Sequence, residues 1–159
     1  ALWQSILQQQ QAEMHRRQFL IHTDIDPELT IDSYHSALSE ILQELLLNSL
    51  EHAQPIGKQG EIWLSISLQQ QRCSIRYQDN GHPINRTLRS QMFEPFTTSS
   101  RQLGHVGLGL SLIYNLVSQL LHGTIRYQCD EDMGWFEIQF RCGTELNNPQ
   151  AIAEQQYNH

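Results

Sequence analysis

Two segments of the chain carry hydrophobic residues at helical spacing. The first begins near Ser33 and ends before Pro55, and its apolar residues fall at i, i+3, i+4, i+7, i+8 and i+12, which is one face of a helix. These residues are Leu38, Ile41, Leu42, Leu45, Leu46 and Leu50. We expect the second helix to stop at His122-Gly123. Its predicted buried face consists of Leu110, Ile113, Leu116, Val117, Leu120 and Leu121.

Elsewhere apolar and polar residues alternate, which is typical of strands with one buried face. Strands are predicted at 19–25, 62–68, 73–77, 124–129 and 135–141. The residues of the second strand expected on one face are Ile62, Leu64, Ile66 and Leu68. A short helix is expected at 85–92, followed by a flexible loop to about residue 106. Helices on one face of a mixed, mostly antiparallel sheet make an α+β fold, a two-layer α/β sandwich.

Three parts are predicted along the chain. Residues 1–18 are rich in Gln with an amphipathic pattern and are expected to form a helical linker. Residues 19–142 form one domain, and the polar residues 143–159 are expected to be a disordered tail. The chain does not begin with Met, so we interpret it as part of a longer protein.

The charge balance narrows the function classes. Ten Lys and Arg residues against 17 Asp and Glu give a formal net charge of -7 over 159 residues. This argues against nucleic acid as a partner and against direct membrane contact by this domain, because both need clustered basic residues. It does not argue against one nucleotide, which backbone amides and a magnesium ion can hold.

The cysteines predict no metal or disulfide chemistry. Cys73, Cys129 and Cys142 include no Cys-x-x-Cys pair and all lie in or beside predicted strands. We interpret them as small buried apolar residues. This usage suits the reducing cytoplasm, which is the location expected for the domain, although the parent protein could be anchored in a membrane.

A line of polar residues follows the first helix at i, i+4 and i+8. It consists of Glu44, Asn48 and His52. The amide oxygen of Asn48 suits magnesium, and Glu44 could position or deprotonate a nucleophile near a terminal phosphate. The alternative interpretation is a solvated helix edge.

Two further motifs follow. Asp79-Asn80-Gly81 comes directly after a predicted strand, where a carboxylate can accept a hydrogen bond from an adenine amino group and glycine lets the ring approach. An ordinary turn is the alternative. Phe93-Glu94-Pro95-Phe96 supplies two aromatic residues that can hold one end of a loop, and the polar segment 97–102 after it suits a closing lid. Arg101 in that segment could reach a phosphate.

A glycine loop precedes the second helix. Gly104, Gly107 and Gly109 let amide groups crowd a phosphate, and the start of the helix adds favourable partial positive charge. The loop is neither a Walker motif nor a dinucleotide fingerprint. Its position after the other motifs is therefore what indicates a phosphate-binding role.

The order of these motifs resembles the ATP-binding catalytic domain of sensor histidine kinases. That domain belongs to the Bergerat-fold ATPase superfamily, shared with type II topoisomerases and certain chaperones. The similarity covers about residues 19–142 and rests on Glu44-x-x-x-Asn48, Asp79-x-Gly81, Phe93–Phe96 and Gly107-Leu108-Gly109-Leu110.

The resemblance implies ATP and Mg²⁺ as cofactors. Asn48 would be the magnesium ligand, Glu44 a catalytic residue one turn earlier, and Asp79 the acceptor for adenine. The other implied nucleotide contacts are His52, Gly81, Phe96, Thr97, Thr98, Arg101, Gly104, Gly107, Leu108 and Gly109. The lid would run from Thr97 to Val106.

The resemblance also implies partners. Such a domain passes the γ-phosphate to a histidine on a separate dimerisation hairpin, and the phosphate then moves to an aspartate of a response regulator. Residues 1–18 would be the end of that hairpin or the linker after it. Without the hairpin the domain would not autophosphorylate. His15 lacks the usual His-Glu-Leu-Arg-x-Pro surroundings of the accepting histidine.

Three positions depart from the family pattern. Pro83 and His105 stand where glycines are usual, and Glu51 stands where Lys is common. Two alternatives therefore stay open. One is an anti-sigma-type serine kinase of the same fold, which tolerates Pro83 but lacks the aromatic box at Phe93–Phe96. The other is a non-catalytic module that binds nucleotide weakly or binds protein instead.

Overall fold

In the part of the chain that the computed structural model describes, one sheet and three helices build the domain. The described residues are 8–9, 11–12, 14–16, 19–25, 35–52, 59–94 and 109–142. The strands are β1 (Phe19–Ile25), β2 (Gly60–Gln69), β3 (Arg72–Asp79), β4 (Thr124–Cys129) and β5 (Gly134–Arg141). The helices are α1 (His35–His52), α2 (Arg86–Arg89) and α3 (Gly109–Asn115), and a π-helical turn continues α3 over Leu116–Leu120. These elements confirm the strands and helices predicted from hydrophobic spacing.

The strands are ordered β1-β2-β3-β5-β4 in the sheet. Only β1 and β2 pair in parallel among the described strands, and the other neighbours are antiparallel. This confirms a mixed, mostly antiparallel sheet. Gln70 and Gln71 close the β2–β3 hairpin with positive φ values of 50° and 65°, the conformation that matches strand twist in two-residue hairpin loops. The order places the end of β3 beside the start of β5.

Helix α1 packs its whole predicted apolar face into the core. All six predicted residues are buried, with Ile41 and Leu45 fully so, against sheet residues such as Ile62, Ile75 and Ile138. Burying one such side chain contributes roughly 1.5–3 kcal/mol. The helix is therefore held firmly against one face of the sheet, and side chains along its edge have fixed positions.

Two residues predicted in the core are exposed instead. Leu68 is 40% exposed because it lies beside the Gln70–Gln71 turn, where β2 extends past the core. Leu120 is 49% exposed because the chain winds as a π-helix there, with the Leu121 amide donating to the Leu116 carbonyl at 3.1 Å. A π-helical turn holds more residues than an α-helical turn, so Leu120 rotates off the buried face.

The predicted stop at His122-Gly123 is confirmed. His122 has a φ of 51°, and the Gly123 amide donates to the Val117 carbonyl at 2.9 Å, which closes the end of the helix. A Cβ at position 123 would overlap the carbonyl oxygen of Gln139. Only glycine lets the chain pass this close to β5.

The three cysteines are free thiols, and they differ in burial. Cys73 is fully buried, and burial raises its pKa to about 12, so this thiol stays protonated and unreactive at neutral pH. Cys129 and Cys142 are half-buried rather than buried, since each lies at the end of its strand or just beyond it.

The described parts of residues 1–18 are helical, and Met14 is buried in the core cluster with Phe19. The assignment of this segment as a linker or hairpin end stays a prediction, and the tail predicted at 143–159 lies outside the described residues. In the described part of the chain, no helix is both long and apolar enough to cross a membrane.

Candidate nucleotide-binding site

The centre of the site is the carboxylate of Asp79, the last residue of β3. Ser49 in α1 donates its hydroxyl to Asp79 Oδ2 at 2.7 Å, and the Gly81 amide donates to Oδ1 at 3.0 Å. Each oxygen therefore accepts one bond from the protein. Since a carboxylate oxygen has two lone-pair directions, each has one that no donor among the described residues occupies. The donors come from two different elements, which fixes the plane of the carboxylate.

A buried tyrosine extends this network. Tyr77, two residues earlier on β3, donates its hydroxyl to Ser49 Oγ at 2.8 Å. Tyr77 is 2% exposed and Ser49 is 1% exposed, so both hydroxyls are shielded from bulk solvent. Sequence reasoning missed both residues. The available signal was Ser49 itself, because it continues the apolar spacing of Leu42 and Leu45 with a polar side chain.

The electrostatics of the site follow from burial. Burial raises the pKa of the Asp79 carboxyl above its ordinary value, and the hydrogen bonds from Ser49 and Gly81 act in the opposite direction. Burial also raises the pKa of Tyr77, which stays protonated as a donor. The carboxylate is thus a costly charge that its two donors help to keep ionised.

Asp79 opens onto a small cavity that it shares with Asn48. The cavity has a volume of about 70 Å³. Its other lining residues are Tyr77, His82, Ile84, Tyr127, Gly134 and Phe136. The structure therefore brings together two site residues that lie 31 positions apart in the sequence. This space is smaller than the roughly 300–1,000 Å³ of typical ligand pockets and fits the polar edge of a base rather than a whole nucleotide.

One wall of the cavity depends on a glycine. The Ile84 amide donates to the Tyr127 hydroxyl at 2.8 Å, and the Tyr127 ring packs on Phe136 with centroids 5.0 Å apart. A Cβ at Gly134 would overlap that hydroxyl oxygen. Tyr127 and Gly134 were not predicted as site residues, because only the pairing of β4 with β5 brings them to the end of β3.

Asn80 has a structural role between Asp79 and Gly81, the two residues of its motif predicted to contact the nucleotide. Its Oδ1 accepts from the Glu61 amide at 2.8 Å, and its Nδ2 donates to the Gln59 carbonyl at 2.9 Å. With the Asn80 backbone amide donating to the Glu61 carbonyl at 3.0 Å, these bonds continue the connection between β2 and β3 one residue beyond Asp79. They anchor the backbone directly before Gly81.

The remaining predicted residues fall into two groups. Glu44 and Asn48 are half-buried on α1, and Gly109 starts α3. His52 ends α1, but its side chain lies outside the described structure. The residues beyond the described ranges are Phe96, Thr97, Thr98, Arg101, Gly104, Gly107 and Leu108, with the rest of the predicted lid. Among the described residues, no three His, Cys, Asp or Glu side chains lie close enough together to hold a metal ion.

Comparison with known families agrees with this geometry. The model of the histidine kinase-, DNA gyrase B- and HSP90-like ATPases matches residues 34–145. The chain belongs to this family, and membership implies a nucleotide-binding domain. The resemblance to the catalytic domain of sensor histidine kinases is thereby confirmed, as is the α+β fold.

Curated relatives of the chain are sensor kinases. It is 33% identical over 97 residues to the alginate biosynthesis sensor protein KinB of Pseudomonas aeruginosa, which covers 61% of this chain and 15% of that protein. It is 28% identical over 124 residues to the autoinducer 2 sensor kinase/phosphatase LuxQ of Vibrio harveyi, covering 74% of this chain and 14% of that protein. The chain thus spans only a small part of the length of these relatives.

Solved structures share the fold. The catalytic domain of histidine kinase ThkA superposes with a TM-score of 0.76 at 19% identity, covering 88% of this chain and 91% of that one. Histidine kinase AdeS of Acinetobacter baumannii gives a TM-score of 0.74 at 18% identity, covering 90% of this chain and 64% of that one. At these identities the similarity establishes the architecture.

Proposed function

We propose that this domain binds Mg-ATP and acts as the catalytic domain of a two-component sensor histidine kinase. Its reaction is transfer of the γ-phosphoryl group to a histidine on a separate dimerisation domain, from which the phosphoryl group passes to an aspartate of a response regulator. The observation that carries the proposal is the Asp79 carboxylate, held by Ser49 and Gly81 and facing a cavity that Asn48 also lines.

Asp79 recognises the adenine end of the nucleotide. Each of its oxygens has one lone-pair direction left after the bonds from Ser49 and Gly81, so the carboxylate can accept a hydrogen bond from the exocyclic amino group. Gly81 has no side chain to obstruct the ring. A hydrogen bond to a charged acceptor is worth about 1.5–3 kcal/mol, and its loss leaves a buried charge unpaired.

Asn48 holds the metal in this proposal. Its amide oxygen is a hard, neutral donor beside the same cavity, which fits Mg²⁺, since this ion takes one or two protein oxygens and the rest from phosphates and water. Glu44 lies one turn earlier on the same face of α1, where it positions the accepting nucleophile. When bound, the ion neutralises charge on the phosphates.

The other nucleotide contacts are proposals from the family resemblance. Gly109 supports them, because it stands at the start of α3, where helix amides favour phosphate. The full proposed set is His52, Gly81, Phe96, Thr97, Thr98, Arg101, Gly104, Gly107, Leu108 and Gly109.

The proposed partners rest on the relatives. KinB and LuxQ are sensor proteins, and one solved neighbour is histidine kinase ThkA in complex with the response regulator protein TrrA, at 17% identity and a TM-score of 0.72. We propose that this domain works in the cytoplasm with a response regulator, and that a histidine-bearing dimerisation domain is its second partner. It then requires the histidine-bearing dimerisation domain and shows no autophosphorylation by itself.

The decisive experiment is a calorimetric titration of ATP with and without magnesium, on the wild type and on Asp79→Asn. The expected result is magnesium-dependent binding that the substitution abolishes, because one amide nitrogen replaces an acceptor oxygen. Absence of binding at millimolar ATP would instead support a non-catalytic module, with Pro83 as the reason, since proline offers no backbone N–H.

A further inference from the structure

In the function proposed above Ser49 only holds Asp79 and Tyr77 has no role, although both place a hydroxyl in the core beside that carboxylate. Burying a hydroxyl is unfavourable unless it is hydrogen-bonded, and an apolar pair of similar shape would avoid that cost. The hydroxyls form one chain, from Tyr77 to Ser49 at 2.8 Å and from Ser49 to Asp79 at 2.7 Å. We call Tyr77 and Ser49 the hydroxyl relay.

The relay has one direction. An ionised Asp79 can only accept, so Ser49 donates its one hydrogen to Asp79 Oδ2 and the hydrogen between Tyr77 and Ser49 comes from Tyr77. At the end of the relay, Asp79 therefore meets a donor and is held as an ionised acceptor.

A second helical serine in the same molecule shows what Ser49 does differently. Ser118 donates to the Tyr114 carbonyl four residues earlier at 2.7 Å, which is the usual local bond of a serine within a helix. Ser49 has the same option within α1 but bonds across to β3. The Tyr77 hydroxyl approaching its oxygen favours that orientation, so Tyr77 controls where the Ser49 hydrogen points.

We propose that the hydroxyl relay of Tyr77 and Ser49 determines base specificity, by holding Asp79 as an acceptor that admits a 6-aminopurine nucleotide and rejects a 6-oxopurine nucleotide. This rests on the proposed function, because it assumes that Asp79 faces the base. The chemistry is simple: an ionised carboxylate accepts from an amino group and repels a carbonyl oxygen, whereas a protonated carboxyl can donate to that oxygen.

Burial makes this control necessary. It favours the neutral form of Asp79, and the Ser49 hydrogen bond is one of the two contacts that act against it. Loss of the Ser49 hydroxyl would therefore shift Asp79 toward the protonated form, which donates as well as accepts. The bound base would then be selected less by the group at its C6 position. Ser49 and Tyr77 are positioning residues that act through Asp79.

The test compares the affinities of ATP and inosine triphosphate, which share sugar and phosphates and differ at C6 without the added amino group of guanine. We expect Ser49→Ala to reduce the ratio of the two affinities by about tenfold or more, the size of a hydrogen bond to a charged group. Tyr77→Phe should reduce it less, since Ser49 can still donate part of the time. Ser49→Thr restores a hydroxyl and should restore the ratio.

The matched control is Ser118→Ala, which removes a helical hydroxyl whose bond stays within its own helix and should leave the ratio unchanged. A ratio within about twofold of the wild type in both Ser49→Ala and Tyr77→Phe would overturn the relay while the proposed function stands. If Ser49→Ala does not fold, Tyr77→Phe decides, because it keeps the ring in place. If the wild type binds neither nucleotide, the proposed function itself is wrong and the relay with it.

Discussion

The ring of Phe93 stacks on the ring of Tyr114, with centroids 5.5 Å apart and planes inclined by 30°. Phe93 comes shortly before the predicted lid in the sequence, and Tyr114 lies in α3, which follows the predicted glycine loop. The stack therefore joins the segment before the predicted lid to the helix that follows the predicted glycine loop. The sequence predicted an aromatic anchor from the Phe93–Phe96 box, but not its partner.

Removing this anchor should weaken ATP binding more than folding. Tyr114 is 45% exposed, so Tyr114→Ala forfeits little core burial but loses an aromatic pair worth about 0.5–1.5 kcal/mol. We expect ATP affinity to fall by about twofold to tenfold, measured by calorimetry, with a small change in melting temperature. Tyr114→Phe keeps the stack and should bind like the wild type. An unchanged affinity in Tyr114→Ala would show that the anchor does not influence the site.

Asn48→Ala should remove the magnesium dependence of ATP binding. The substitution deletes the amide oxygen proposed as the metal ligand, and the loss of affinity in the presence of magnesium should be about tenfold or more, or at least 1.4 kcal/mol. Gln43→Ala is the control, since Gln43 is a half-buried polar residue on the same helix. Equal magnesium dependence in Asn48→Ala and the wild type would refute the role of Asn48.

Gly134→Ala should destabilise the domain through one identified clash. The added Cβ would overlap the Tyr127 hydroxyl, and overpacking of this kind costs about 1–3 kcal/mol in the free energy of unfolding. Denaturant unfolding of the single variants and of Gly134→Ala with Tyr127→Phe completes a double-mutant cycle. We expect the double variant to be more stable than the sum of the two changes, because phenylalanine lacks the hydroxyl oxygen; the relief is partial, since the ring carbon Cζ also lies against the added Cβ. Strict additivity would show that the hydroxyl oxygen does not carry the strain.

The pKa of Asp79 predicts opposite effects of pH on stability and on binding. The pKa of Asp79 in the folded state is raised from 3.8. The protonated carboxyl therefore stabilises the fold fully at pH values below the unfolded pKa, and this stabilisation is lost as pH rises through the folded pKa. At neutral pH the buried charge is therefore a cost, and Asp79→Asn should gain stability relative to the wild type between pH 4 and pH 7. ATP affinity of the wild type should instead fall as pH decreases, because the protonated carboxyl accepts less well.

Controls for this pH experiment follow from the groups around the carboxylate. These are Tyr77 on the same strand, Tyr127 on β4 and His82 beside the cavity, while α1 contributes the uncharged Asn48 and Ser49. Burial raises the pKa of both tyrosines, which keeps them neutral throughout this range. His82→Gln separates any contribution of the imidazole. If affinity and stability respond to pH in the same direction in that variant, the assignment of Asp79 is wrong.

Hydrophobic spacing predicted the elements well because burial dominates their formation. Every predicted apolar residue of α1 is buried, and the strand-end position of Asp79 beside a helix with Asn48 followed from the motif order. Spacing did not predict that β5 lies between β3 and β4, since alternation does not encode which strands pair. Tyr127 and Gly134 were missed for that reason. Ser49 was missed because a buried serine looks like an interruption of an apolar face until its partner is known.

The π-helical turn at Leu116–Leu120 changes the directions in which the side chains of α3 point relative to the chain after the turn. One extra residue in a turn offsets the helix before it by about 100° relative to the chain after it. The side of the helix on which Tyr114 and Gly109 lie therefore does not follow from ordinary helical spacing counted back from His122-Gly123, which is fixed against β5. The five residues of the turn cover about the rotation of four α-helical residues, so deleting one of them should give an ordinary helix and leave Tyr114 facing Phe93. The turn therefore takes up one additional residue without moving the Phe93 contact.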